Sequence, residues 1–310
     1  MTKSGSAVLI LLFFISSMLI PIQSTTAESL NTIYVDDDNT DGPWDGTIDH
    51  PFQFIRDGVN HASDGDMVFV CNGIYPERVR INTSIKLKGE NKKQTIIGSD
   101  QFGSKKQNTS NGIVIISDDV TITRFSIQCC KGIFIASEKN LIYDNILKLN
   151  DVGLELSSSS YNKIYNNKIK MNGIGILSSV AYLSAEVSEN NIIENNTIAS
   201  NILFGIWVWS GSHLITFNDV KFNTLGVRLD GENEITCNNF YWNGRKALTN
   251  SARNEWNKNY WNRPRILPYP IVGKVGRLHT FFFDFYLVPW IQFDWHPAAE
   301  PYDIDGGGYE

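Results

Sequence analysis

Four cysteines, four methionines and five histidines are few for a chain of 310 residues. Cys71, Cys129, Cys130 and Cys237 form neither a CxxC pair nor a His-spaced zinc pattern, and their long spacings suggest no disulfide framework. Cys129 and Cys130 are adjacent, so in a strand they point to opposite faces and a bond between them would be strained. Basic clusters are also scarce, Lys92-Lys93 and Lys105-Lys106 being the main ones, and the net charge is −6. That balance argues against a nucleic-acid surface. Long apolar runs are missing except for Ala7 to Ile20, which at 14 residues is short for a span. Lys3 precedes this run and Thr25-Thr26-Ala27 follows it, so residues 1–27 read as a secretory signal, with an uncleaved anchor as the competing reading. No later segment is long and apolar enough to cross a membrane, and the middle of the chain carries no helical stripe.

Asparagine is plentiful, and its placement is periodic. Segments align on Ile122, Ile142, Ile164, Ile193, Ile215, Ile235 and Trp256, at steps of 20, 22, 29, 22, 20 and 21 residues. Three positions after each anchor from the second onward stands Asn145, Asn167, Asn196, Asn218, Asn238 or Asn259, with Phe125 in the first segment. Two positions further stands an apolar residue: Ile127, Leu147, Ile169, Ile198, Val220, Phe240, Trp261. A second signature, of the GIVI type, begins at Gly112, Gly132, Gly153, Gly205 and Gly226; in the remaining segment Gly173 and Gly175 both fit. A period near 21 is too short for a propeller blade and suits a solenoid of short strands. Equivalent residues then stack at ~4.8 Å per coil. The asparagines read as turn residues, tolerant of left-handed backbone, whose amides donate to one neighbouring coil and accept from the other. Disorder is excluded by the strict apolar spacing. The longest step holds an insertion near residues 178–190, and solenoid insertions map to loops on one face.

The ends differ from the repeats. Ile33-Tyr34-Val35 reads as a strand, and PFQFIRDGVNHA (51–62) as a helix opened by Pro51 that covers the first coil with Phe52, Ile55 and Val59. Met67 to Val70, Val79 to Ile81, Ile85 to Leu87 and Thr95 to Ile97 read as the first strands. Residues 262–310 hold six of the ten prolines and an aromatic run, FFFDFYLVPWIQFDWHP. This tail is expected to close the last coil or pack along the outside; a membrane-surface role for Phe281 to Trp290 is the competing idea. The organisation is thus signal 1–27, cap and first coils 28–110, repeats 111–261, and tail 262–310.

IYVDD, a helix, SDGDMVFVCNGIYPERVRINTSIKLKGE and IIGS together resemble the start of a right-handed parallel β-helix of the pectin-lyase-like superfamily. The asparagine-rich coils resemble NosD-type repeats, also described as carbohydrate-binding and sugar-hydrolase (CASH) repeats, and the tail is similar to those of archaeal secreted β-helix proteins. The resemblance covers most of residues 33–261. It implies an all-β solenoid of eight or nine coils, secreted or at the cell surface. It does not choose among lyases, glycosidases, esterases and non-catalytic proteins. NosD-type proteins are associated with copper delivery, but His50, His61, His213, His279 and His296 are scattered and gather no soft donors.

Alternation in the GIxI strands points Val114, Phe134, Glu155, Trp207 and Arg228 outward, with Trp209 and Asp230 two residues further on. Phe134, Trp207 and Trp209 are candidates for stacking on sugar rings. Glu155, Arg228 and Asp230 are the catalytic candidates. Glu155 and Arg228 fall three coils apart, and acids spread this way lack the ~5 Å separation of a retaining glycosidase. Arg228 and Asp230 read first as a salt pair. Asp37, Asn39 and Asp41, followed by Gly42, match the front half of a calcium loop, but Ile48 stands where its bidentate Glu belongs. Calcium is therefore the one ion the pattern suggests, and no other cofactor is expected. Asn82, Asn108 and Asn195 head glycosylation sequons. The leading expectation is a non-catalytic protein that binds polysaccharide or cell-envelope glycan. A polysaccharide lyase or glycoside hydrolase with a shallow groove, and a structural envelope spacer, are the alternatives.

Overall fold

A computed structural model describes residues 31–99, 112–180, 187–209, 211–279 and 284–304. The expected signal, residues 1–27, and the Asn108 sequon lie outside the described residues. The chain winds as a right-handed solenoid with three parallel sheets. Each turn lays one short strand on each sheet in the same order. The first sheet runs from Thr32–Val35 to Glu255–Asn257, the second from Gly73–Tyr75 to Asn239–Tyr241, and the third from Val79–Ile81 through Arg245–Thr249 to a terminal hairpin. Eight full turns result among the described residues.

The anchor residues line up as read from the sequence. Ile122, Ile142, Ile164, Ile193, Ile215, Ile235 and Trp256 are consecutive partners on the first sheet. Ile127, Leu147, Ile169, Ile198, Val220 and Phe240 do the same on the second. These columns are buried and fill the tube. Each such side chain stabilises the fold by roughly 1.5–3 kcal/mol. The ambiguous segment is settled by pairing: Gly175, not Gly173, shares a level with Gly153 and Gly205. A Cβ at Gly205 would lie 2.5 Å from the Gly226 carbonyl oxygen and 3.0 Å from Asn223 Nδ2, so the glycine row is small because a ladder passes beside it.

Three asparagine ladders run through the solenoid, where one was expected. The expected one joins Asn145, Asn167, Asn196, Asn218, Asn238 and Asn259. In each step the backbone N–H and Nδ2 of one Asn donate to Oδ1 of the next, at 2.9–3.2 Å. Nδ2 also donates backwards, for example from Asn196 to the Ile164 carbonyl at 2.8 Å. The second joins Asn150, Asn172, Asn201, Asn223 and Asn243, with Cys130 in the first place. The third joins Asn140, Asn162 and Asn191, passes His213, and continues to Asn233 and Asn254. The left-handed residue is not the ladder Asn itself, as expected from sequence, but the one before it: Asp144, Asn166, Asn195, Phe217, Cys237 and Lys258 have φ of 50–57°. The corner turns just before the side chain is delivered inward.

The covering helix, α1, is shorter than expected and spans Ile55–His61. Pro51 and Phe52 stay outside it, and Phe52 bridges Val35. The reason is a distant carboxylate: Glu77 Oε1 and Oε2 accept the Ile55 and Arg56 backbone N–H groups at 2.8 and 3.0 Å, fixing the start there. The strand read over Ile85 to Leu87 is Lys86–Gly89, and Gly73–Tyr75 adds one not foreseen.

At the other end, Tyr269–His279 and Asp284–Asp294 form an antiparallel hairpin that joins the third sheet at Thr249↔Gly273. Ile271 reaches the core, and Tyr269 stacks on Trp261 at 4.0 Å. Buried Asp294 ends the first ladder: its Oδ2 accepts Asn259 N–H (2.9 Å), Asn259 Nδ2 (3.2 Å) and Trp261 Nε1 (3.0 Å). Beyond it, Tyr302 exchanges two hydrogen bonds with Asn239. The tail closes the last coil.

Candidate functional site

On the third sheet, residues of one parity face outward. Register puts Arg80, Val114, Phe134, Glu155, Leu177, Trp207, Arg228 and Leu248 in one column. Val114 belongs to it but is buried; Phe134, Glu155, Trp207 and Arg228 are half-buried. Leu177 was hidden from sequence reading by the two competing glycines.

The column brings some candidates together and separates others. Trp207 lies against Phe204 (4.7 Å between centroids) and Trp209 (5.5 Å). The Arg228 guanidinium sits 5.0 Å from the Trp207 ring centroid and 3.6 Å from Asp230 Oδ2. Asn250 Nδ2 donates to Asp230 Oδ1 at 2.5 Å. Among the described residues Trp207 Nε1 is buried without a hydrogen-bond partner. Trp209 is 43% exposed. The result is an open aromatic patch whose inner ring is clamped by a charge-paired arginine. Phe204, Leu177 and Asn250 complete it and were not anticipated, although Phe204 directly precedes the GIWV stretch. Phe134 stands apart, with Glu155 and Leu177 between it and Trp207. Glu155 accepts a hydrogen bond from Ser179 Oγ at 2.9 Å. It lies three coils, ~14 Å, from Arg228, so the two cannot share one reacting atom.

The loop holding Asp37, Asn39 and Asp41 does not converge on a point. Asp37 Oδ2 accepts Ile74 N–H at 3.0 Å, and burial pushes its carboxyl upward. Asn39 turns its nitrogen to the Pro51 carbonyl at 2.7 Å. Asp41 Oδ1 accepts from Thr40 Oγ1 at 3.4 Å. Among the described residues no group of three His, Cys, Asp or Glu side chains is arranged to hold a metal ion. No disulfide joins the four cysteines.

His213 occupies a rung of the third ladder. Its Nε2 lies 2.9 Å from Ser178 Oγ and its Nδ1 3.4 Å from Asn191 Nδ2. An Nδ1 that accepts from an amide leaves the proton on Nε2, which donates to Ser178. Burial lowers this imidazole's pKa to about 4.

Three parallel sheets, stacked asparagines and an outward-facing strand column define a parallel β-helix of the pectin-lyase-like kind. Within it the chain belongs to the NosD family, whose model, described as "Periplasmic copper-binding protein (NosD)", matches residues 59–275. None of the curated proteins matches the chain. Among solved structures, pectate lyase Pel9A is similar at 15% identity, over 76% of this chain and 71% of that one, with a TM-score of 0.55. The native GH136 lacto-N-biosidase from Eubacterium ramulus is similar at 13% identity, over 76% and 60% of the two chains, with a TM-score of 0.50. At these identities the likeness is one of fold, and this fold serves enzymes and binding proteins alike. For the copper description, the described residues offer no group of three His, Cys, Asp or Glu side chains, and His213 is committed to the ladder. No described helix is long and apolar enough to cross a membrane.

Proposed function

We propose that this chain acts outside the cytoplasm and binds polysaccharide or cell-envelope glycan on the outer face of the third sheet. The observation that carries this reading is the Phe204–Trp207–Trp209 cluster, open to solvent at Trp209 and held rigid by Arg228 and Asp230. Sugar rings stack on such surfaces through their apolar C–H faces. A backbone fixed by β-pairing has little conformational freedom left to lose on binding. Phe134 and Glu155 lie further along the same column and extend the surface toward the first coils.

A catalytic version has its own support. The two solved structures named above carry the names of enzymes acting on glycans. Glu155, Arg228 and Asp230 are then the candidates, in a shallow groove along the column. Their ~14 Å spread favours binding over glycosidase chemistry between paired carboxyls. The mature chain should be incubated on a polysaccharide array, with and without calcium, reading retention and new reducing or unsaturated ends. Retention that Trp207→Ala weakens, without product, supports the binding form. Product lost in Glu155→Ala or Arg228→Ala replaces it with the enzyme. Neither signal removes both and leaves a structural spacer.

A further inference from the structure

The second sheet carries a different surface. At its edge, five successive coils each present two neighbouring residues: Lys148-Leu149, Lys170-Met171, Ala199-Ser200, Lys221-Phe222 and Tyr241-Trp242. The first member of each pair lies in one column by register. The second stands at the corner with positive φ, 58° at Leu149, 57° at Met171, 55° at Ser200, 57° at Phe222 and 39° at Trp242. Left-handed backbone suits Gly, Asn and Asp and penalises bulky side chains. The corner before the first ladder uses Asp144, Asn166 and Asn195 at three such positions and Phe217, Cys237 and Lys258 at the other three. These five places use no Gly, Asn or Asp.

The side chains are also exposed: Met171 by 50%, Phe222 by 52% and Trp242 by 63%. Phe222 and Trp242 stack at 5.1 Å and 20°, and Tyr241 lies 5.6 Å from Trp242, making a continuous aromatic ledge. Beside it runs a basic column on a chain whose net charge is −6. Lys221 is paired with Asp219 at 3.0 Å, whereas Lys148 and Lys170 have no acidic partner among the described residues. The array spans four coil steps, ~19 Å, enough for several sugar units.

We propose that this edge is a second binding site, for an acidic polysaccharide lying along the solenoid axis. Its carboxylates or sulfates meet Lys148 and Lys170, and its sugar rings lie against Phe222 and Trp242. Charge complementarity selects an anionic polymer over a neutral one, and the aromatic ledge distinguishes a ring-bearing chain from a simple polyanion. The site is on another sheet from the Trp207 cluster and stands independently of it.

The test is retention of the mature chain on immobilised polygalacturonate and on neutral dextran, with flotation on phosphatidylserine vesicles in parallel. Wild type should be held by polygalacturonate, released by salt, and pass through dextran. Lys148→Glu with Lys170→Glu should weaken retention at least about tenfold. Trp242→Asn, which the left-handed corner accepts, should weaken it with an unchanged circular dichroism spectrum. The lysine changes should weaken retention equally in a Trp207→Ala background, where the third-sheet patch is already removed. Retention that survives the double lysine change in that background, absence of retention, or capture by vesicles rather than polygalacturonate would each overturn the proposal. A Trp207→Ala change without effect on the polysaccharide array would remove the third-sheet reading and leave this one standing.

Discussion

At Tyr161 the backbone takes φ 59° while the ring is largely exposed. The side chain gains little from burial there, yet its Cβ crowds the following carbonyl. Tyr161→Asn should therefore stabilise the fold, by about 0.5–1 kcal/mol, seen as a higher midpoint in urea. His213 offers the opposite case, a buried residue with no apolar reason to be inside. Its folded-state pKa of about 4 lies below the ordinary 6.5. The unfolded chain thus binds more protons between those values, and stability falls as pH falls. The contribution is complete above pH ~6.5 and lost progressively toward pH ~4, on the order of 3 kcal/mol in all. Ser178, Asn191 and Asn233, its hydrogen-bond partners, do not titrate there. His213→Asn, which restores the residue used at the other rungs, should flatten that part of the pH–stability curve. Denaturation midpoints of both proteins from pH 7.5 to 4 measure this.

At the scale of the element, the ladders have a direction. Each Oδ1 receives and each Nδ2 gives toward the next coil, so the last amide of a ladder needs an acceptor beyond it. Asn243 and Asn254 turn theirs to the Val220 carbonyl and Thr249 Oγ1, whereas Asn259 gives its backbone N–H and Nδ2 to Asp294, a carboxylate that only accepts. Asp294→Ala should leave Asn259 and the Trp261 indole without their acceptor inside the cap. The expected loss is about 3 kcal/mol, and thermal unfolding with hydrogen exchange at Asn259 and Trp261 would show it start at this end. Much of this was legible beforehand. The +3 offset from the apolar anchors gives the first ladder, and offsets of −2 and +8 give the others at the same spacing. The −2 row is concealed in sequence by His213, because imidazole does not resemble an amide, and the +8 row by Cys130 in its first place. Nothing local marks Asp294 among the tail's acids, or Glu77 as the partner of a helix start 22 residues away. Such pairings depend on the winding of the whole chain.

At the scale of the molecule, outward columns were readable because strand alternation and a near-constant period fix both parity and level. Trp207, Trp209, Arg228 and Asp230 emerged that way and do meet. Phe134 faces outward on the same sheet but lies three levels from Trp207, a separation visible only once Leu177 had a place. The basic and aromatic edge of the second sheet went unread because its members fall on turns, where sequence alone does not tell an exposed aromatic from a packed one. Two faces with different chemistry, one aromatic and charge-neutralised, one aromatic and cationic, are what a rigid three-sided tube can offer without moving parts.

The acceptor-only rung at Asp294 also bears on growth. A stack of parallel coils is a template, and an open end with free amide donors would recruit the start of another copy, coil upon coil, toward a filament. With a carboxylate in the last place the first ladder ends on an acceptor, and its row of amide donors stops inside the cap instead of facing outward from the last coil.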